Sequence, residues 1–285
     1  MSMTMRKRPE RFDAQAARDA EALRRLKVQK VLTEEELARL QQARLARFAR
    51  GGVDEKKWKH LKRCRGSECP HSSCSAACIF GERKELNRVV RQTRRLLKSS
   101  PALLHFVTIV DPTYFLQPGQ LHELSVDGLF QSLRRRLRDA PDNWKAARVI
   151  GAVDIAYDRD ADKREWWAPH LHLAIAVEAD AKEVRRVLKP RRPAPPDMVG
   201  RKFRPVKVKP ITSLANAIGY SVKPTVDGRE AIWDRRGNTD RRPFKVPEAA
   251  QLEHDTWMLR MRPRERSFLS GMMVLRGKVV ARKKG

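Results

Sequence analysis

Cysteine is scarce in this chain of 285 residues: there are four, all between Cys64 and Cys78. With every thiol in one short window, disulfides do not staple distant parts together, and a cytosolic disulfide pair is not expected. Acidic residues are also few, 34 against 62 Lys and Arg, which leaves a formal net charge of +28. No hydrophobic run approaches the length of a membrane-spanning helix. The opening segment MSMTMRKRPERF carries charge without the apolar stretch of a signal peptide. No glycine-rich loop of the G-x-x-x-x-G-K-[ST] form occurs, so no built-in ATP-driven motor of that type is expected. The expected setting is the cytoplasm, with no membrane partner.

What is present suits one substantial domain with appendages, because 41% hydrophobic residues are enough to fill a core. The basic excess predicts a polyanionic partner, since neutralising phosphates releases their condensed counterions. Residues 1–60 read as a basic helical arm, with a helix start at Thr33-Glu34-Glu35-Glu36 and a stop at Gly51-Gly52. Leu37, Leu40, Leu45 and Phe48 give it a thin apolar stripe suited to a solvated arm or a docking helix. Residues 61–100 hold the cysteine cluster and a basic helix with Arg88, Arg91, Arg94 and Arg95.

From Pro101 the periodicity changes. Leu103–Val110 reads as a buried strand, and Val126, Leu129, Phe130, Leu133 and Leu137 recur at helical spacing. Strands follow at Arg148–Tyr157 and Trp166–Val177, joined by the polar turn Asp158–Arg164. A helix starts at Asp180, a strand is expected over Phe203–Lys209, and Thr212 or Ser213 caps a helix running through Lys223. This order, βαββαβ plus a helix over residues 101–225, predicts an α+β fold with a ferredoxin-like antiparallel sheet. It carries an N-terminal helical and metal-binding extension and a C-terminal helical, basic region at 226–285, with a helix over Pro247–Met261.

Two motifs carry chemistry. In His170-Leu171-His172 the imidazoles fall on one face of a strand. If the preceding hairpin turns near Asp162, Asp154 lies opposite His170 and projects to the same side. Two imidazoles and a carboxylate suit Mg²⁺ or Mn²⁺ beside a phosphate, and Zn²⁺ would also bind such a set. The second motif is Tyr220-Ser221-Val222-Lys223. Leu214, Ala217, Ile218 and Val222 form an apolar helix face, while Tyr220 and Lys223 leave it together with Asn216 beside them. A tyrosyl hydroxyl is a poor nucleophile at its ordinary pKa of about 10, so it needs an electrophile polarised by a metal and a nearby cation.

The run His105–Val110, then Gly151-Ala-Val-Asp154, Pro169-His-Leu-His-Leu173 and Gly219-Tyr-Ser-Val-Lys223, resembles the HUH endonucleases, and among them the replication initiators of rolling-circle plasmids. The resemblance spans about residues 101–225. It implies a nickase domain with metal ligation by His170, His172 and Asp154, and covalent attachment of DNA through Tyr220, assisted by Lys223. Relatives often carry glutamate where Asp154 stands. It also implies single-stranded DNA at a replication origin as substrate, a 3′ hydroxyl left for a host polymerase, and a host helicase. Arg134, Arg135, Arg201, Lys202, Lys207 and Asn216 are the candidate DNA contacts. The spacing Cys64-x4-Cys69-x4-Cys74-x3-Cys78 points to a structural Zn²⁺, with His71 as an alternative ligand.

Two other readings compete. Single-strand transposases of the same chemistry use paired tyrosines, and no tyrosine follows Tyr220. A non-enzymatic binding module would instead use Trp166, Trp167 and Phe106 as stacking platforms.

Overall fold

The computed structural model describes residues 33–64, 74–100, 102–160, 162–191, 204–220, 226–233, 239–275 and 278–281. Helix α1 (Glu34–Arg50) begins at a capping box: Thr33 Oγ1 accepts from the Glu36 N–H at 3.2 Å, and the Glu36 carboxylate accepts from the Thr33 N–H at 2.6 Å. Such a cap is worth about 1 kcal/mol. Gly51 and Gly52 end the helix, and α2 (Glu55–Arg63) follows as a separate element. The N-terminal part is therefore no solvated arm over its described length. Leu37, Phe48, Trp58 and Leu61 are buried, and the last three join the main core.

Helix α3 (Ile79–Lys98) leads into β1 (Leu103–Val110), α4 (Val126–Arg138), β2 (Arg148–Arg159), β3 (Glu165–Val177), α5 (Ala181–Leu188), β4 (Val206–Pro210) and α6 (Leu214–Tyr220). The four strands lie in the order β4-β1-β3-β2, and every neighbouring pair is antiparallel. The β2–β3 hairpin turns over residues 160–164: the Arg164 N–H donates to Asp160 Oδ1 at 2.8 Å, and Lys163 takes a φ of 65°.

Alternation divides the sheet into two faces. Val149, Val153, Ile155, Tyr157, Leu171, Leu173 and Ile175 join the main core with α1, α2, α4, α5 and the later helix α7 (Glu248–Leu259). Ile150, Ala174 and Ala176 join a second core with Val89, Val90 and Leu97 of α3 and Leu214, Ala215 and Ile218 of α6. Alanines on that face let α6 pack close.

Residues 226–285 were expected to be a helical basic region, and this needs correcting. Helix α7 is there, but so are five strands: β5 (Asp227–Trp233), β6 (Thr239–Phe244), β7 (Ser267–Ser270), β8 (Met272–Leu275) and β9 (Lys278–Ala281). β5 pairs parallel with β2 at its C-terminal half, β7 pairs antiparallel with its N-terminal half, and the sheet therefore continues past residue 225. The sequences Asp-Gly-Arg-Glu-Ala-Ile-Trp and Thr-Asp-Arg-Arg-Pro-Phe lack a period-2 apolar pattern because charge pairs take its place. Glu230 accepts from Lys163 at 2.5 Å and from Arg242 at 2.7 Å, and these two bonds lower its carboxyl to about 2. Between β7 and β5, the buried Arg266 donates to the Val153 carbonyl at 3.2 Å, satisfying an acceptor that neither strand reaches. Among the described residues, no helix is long and apolar enough to cross a membrane.

Asp255 on α7 ties the N-terminal part to the rest. Arg44 Nε donates to Oδ1 and Arg47 Nη2 to Oδ2, each at 2.6 Å, and Arg44 also reaches the Ala77 carbonyl. Burial alone would raise the Asp255 carboxyl, but Arg44, His254 and Arg47 outweigh it and hold it well below the ordinary carboxylate range. A depressed folded pKa stabilises above the unfolded value near 4, and the gain is lost as pH falls through the folded value. Asp255→Asn should therefore cost about 3–5 kcal/mol at pH 7, because it leaves two guanidinium groups without their carboxylate. In urea unfolding at a series of pH values, the gap from wild type should shrink below about pH 4. A gap independent of pH would contradict this account.

Candidate functional site

Cross-strand rows build the site on the face opposite the main core. One row runs Lys207, Thr108, His172, Ala152 across β4, β1, β3 and β2. The next places Asp154 directly opposite His170. Four residues farther along β2, Asp158 is paired with Trp166 on β3 and with Arg229 on β5. Asp154, His170 and His172 are thus brought together by register, and all three are at most 3% exposed. Gly151 makes this close approach possible, since a Cβ there would come within 2.1 Å of the His172 carbonyl oxygen.

The hydrogen bonds define the imidazoles. His170 Nδ1 faces the Ala168 carbonyl, which can only accept, so Nδ1 carries the proton and Nε2 holds the lone pair. Arg229 Nη1 donates to that Nε2 at 2.9 Å. Burial first, and the Arg229 charge second, push His170 well below its ordinary pKa and keep the ring neutral. His172 Nδ1 bonds Thr108 Oγ1 at 3.0 Å, and its Nε2 lies 3.3 Å from Asp154 Oδ2. The two rings are 5.6 Å apart, and Phe106 stacks on His172 at 5.7 Å. Two buried polar atoms on this face, Trp166 Nε1 and Ser267 Oγ, have no hydrogen-bond partner among the described residues.

Helix α6 lies on the same face. The Ile211 N–H donates to the Leu104 carbonyl, and Ser213 then opens the helix, its hydroxyl accepting from the Asn216 N–H at 3.4 Å. Tyr220 is the last helical residue; its side chain, and all of Lys223, lie outside the described residues. Of the other candidate contacts, the exposed Lys207 shares the histidine face and Asn216 sits on α6. Arg134 and Arg135 do not join them. Their helix packs Leu129, Phe130 and Leu133 into the main core, so they line a shallow basic concavity with Gln131 and Arg138 behind the sheet. Arg201 and Lys202 lie outside the described residues.

Sequence reasoning missed three residues. Asp158 was assigned to the turn, although alternation from Asp154 would have put it on the same face had the strand been extended. Thr108 carried no local sign of its role. Arg229 carried none either, because only the parallel pairing of β5 brings it to His170. Of the three stacking platforms, Trp167 is fully buried, packed edge-on to Tyr157, and Trp166 is 8% exposed, whereas Phe106 is half-buried on the histidine face.

The cysteines form a separate centre. Cys64 caps the end of α2 and Cys78 the start of α3, and with Cys74 their Sγ atoms lie within 4.8 Å of one another. The Cys64–Cys74 separation of 3.6 Å is near the roughly 3.8 Å edge of a tetrahedral thiolate site. The Gly81 N–H donates to Cys78 Sγ at 3.3 Å, which favours the thiolate. This buried cluster can hold a metal ion. Cys69 and His71 lie outside the described residues.

No protein family, curated protein or solved structure matches this chain. The site's own chemistry therefore has to carry any functional argument.

Because the cysteines join the main core, a bound metal would be structural. Purified protein is expected to carry one tightly bound metal ion per chain, measurable by elemental analysis. Cys74→Ser should lower that occupancy and the melting temperature together. Metal-free protein with an unchanged melting temperature would rule the centre out.

Proposed function

We propose that the chain is a single-strand DNA endonuclease and strand transferase of the HUH type, initiating rolling-circle replication through a 5′-phosphotyrosine. The observation that carries this reading is the pairing of Asp154 with His170, one register step from His172, on the sheet face that α6 covers. The strand order β4-β1-β3-β2, with a helix on each crossover, supports the ferredoxin-like core that the motif order implies.

The donor set fits a divalent cation such as Mg²⁺ or Mn²⁺. His170 has its lone pair on Nε2, His172 Nε2 stands beside the Asp154 carboxylate, and the backbone carbonyl of Ala168 locks the first ring in the tautomer a ligand needs. When bound, such an ion would polarise the scissile phosphate. The chain's residues do the rest. Tyr220 oxygen bonds to phosphorus, the P–O3′ bond breaks, and the 3′ oxygen leaves and gains a proton as the tyrosine loses one. Lys223, three residues on in the sequence, favours the phenolate. Resealing reverses the step without ATP because the ester bond is conserved. Lys207 on the histidine face serves to hold the strand, and Zn²⁺ is the ion that suits the cysteine centre.

Labelled single-stranded DNA incubated with the protein and Mn²⁺ should give a DNA-linked band on a denaturing gel. Tyr220→Phe is expected to abolish the band, and His172→Ala to reduce it at least a hundredfold, in the range seen for general catalytic groups. An adduct that persists in Tyr220→Phe would rule out the nucleophile, and undiminished cleavage in His172→Ala would rule out the metal site.

A further inference from the structure

Arg229 is a cation that the structure puts in hydrogen-bond contact with a candidate ligand atom. Its Nη1 lies 2.9 Å from His170 Nε2, and the opposite ring nitrogen is committed to the Ala168 carbonyl. His170 therefore has a single lone pair, and Arg229 is using it. The guanidinium cannot give up its charge at any relevant pH, and its N–H groups can only donate. It cannot share the nitrogen with a metal. A divalent ion at Nε2 would meet both a blocked lone pair and a like charge in a buried setting, where repulsion is weakly screened. Among the described residues, Asp158 is the acid paired with Arg229 across β2 and β5 and is itself buried.

From this contact we infer that Arg229 is a displaceable plug on His170 Nε2: its guanidinium must leave that nitrogen before a divalent cation can bind there. The inference rests on the proposed metal role of His170 and His172. It predicts that metal loading is coupled to movement of one side chain on β5. The freed guanidinium then presents a fork of donors to an incoming phosphate, a geometry suited to that group.

Direct Mn²⁺ binding to the full chain, without DNA, tests this by calorimetry or by the paramagnetic signal of the free ion. Arg229→Gln removes the charge while keeping a polar side chain of similar reach. It should bind Mn²⁺ at least about tenfold more tightly than wild type, equivalent to about 1.4 kcal/mol. Arg229→Lys keeps the charge and should stay within a few-fold of wild type. Arg229→Leu is the alternative if the glutamine variant does not fold, with the same expected gain. Unchanged or weaker binding in the glutamine or leucine variant would overturn the plug. His172→Ala separates the two levels. If it abolishes Mn²⁺ binding while Arg229→Gln changes nothing, only the plug fails. If it leaves binding intact, the metal site itself fails.

Discussion

The register of β2 on β3 is the constraint on which the candidate site depends. Asp154 meets His170 because the hairpin is centred on Asp162, and that centre is held by Asp160 and the left-handed Lys163 at the tip. A slip of one residue would send Asp154 to the main core and bring Val153 or Ile155 to the imidazoles. Such a slip would bury a carboxylate among aliphatic side chains, so the core itself enforces the pairing. Packing and chemistry are set by the same alternation.

The outer edge of β2 adds a second constraint. It is shared by β7 and β5, with Arg266 bridging the interval at Val153. Asp154 lies within that interval, and Arg229 enters from β5. The C-terminal region therefore completes the site's surroundings, although it contributes none of the residues that first suggested it. On the other side of the sheet, Asp255 draws α1 onto α7, and Arg134 and Arg135 end up behind the histidines. If those arginines touch DNA, they do so on a surface separate from the candidate metal site.

Much of the fold was legible because its signals are local. The apolar run of β1, the heptad-like spacing of α4, the Thr33 cap and the polar hairpin tip each lie within a few residues of their effect. The same holds for the two imidazoles on one strand face. What was not legible depends on distant partners. β5 and β6 are rich in charge and become strands because β2 offers an edge and Glu230 collects Lys163 and Arg242. Trp166 and Trp167 looked available for stacking, and are buried because α7 and the Phe115 region pack over their strand.

The amino-acid order alone determined the alternation of β2 and β3, the hairpin centre, the helix that carries Tyr220 and the cysteine cluster, since backbone periodicity and turn chemistry act over a few residues. Tertiary structure alone decided that a guanidinium from β5 would sit on His170, that the N-terminal helices would join the core, and that the basic face of α4 would lie behind the sheet. Those outcomes follow from which strand edges and apolar faces remain open once the local elements exist, and that competition is settled only when the whole chain packs.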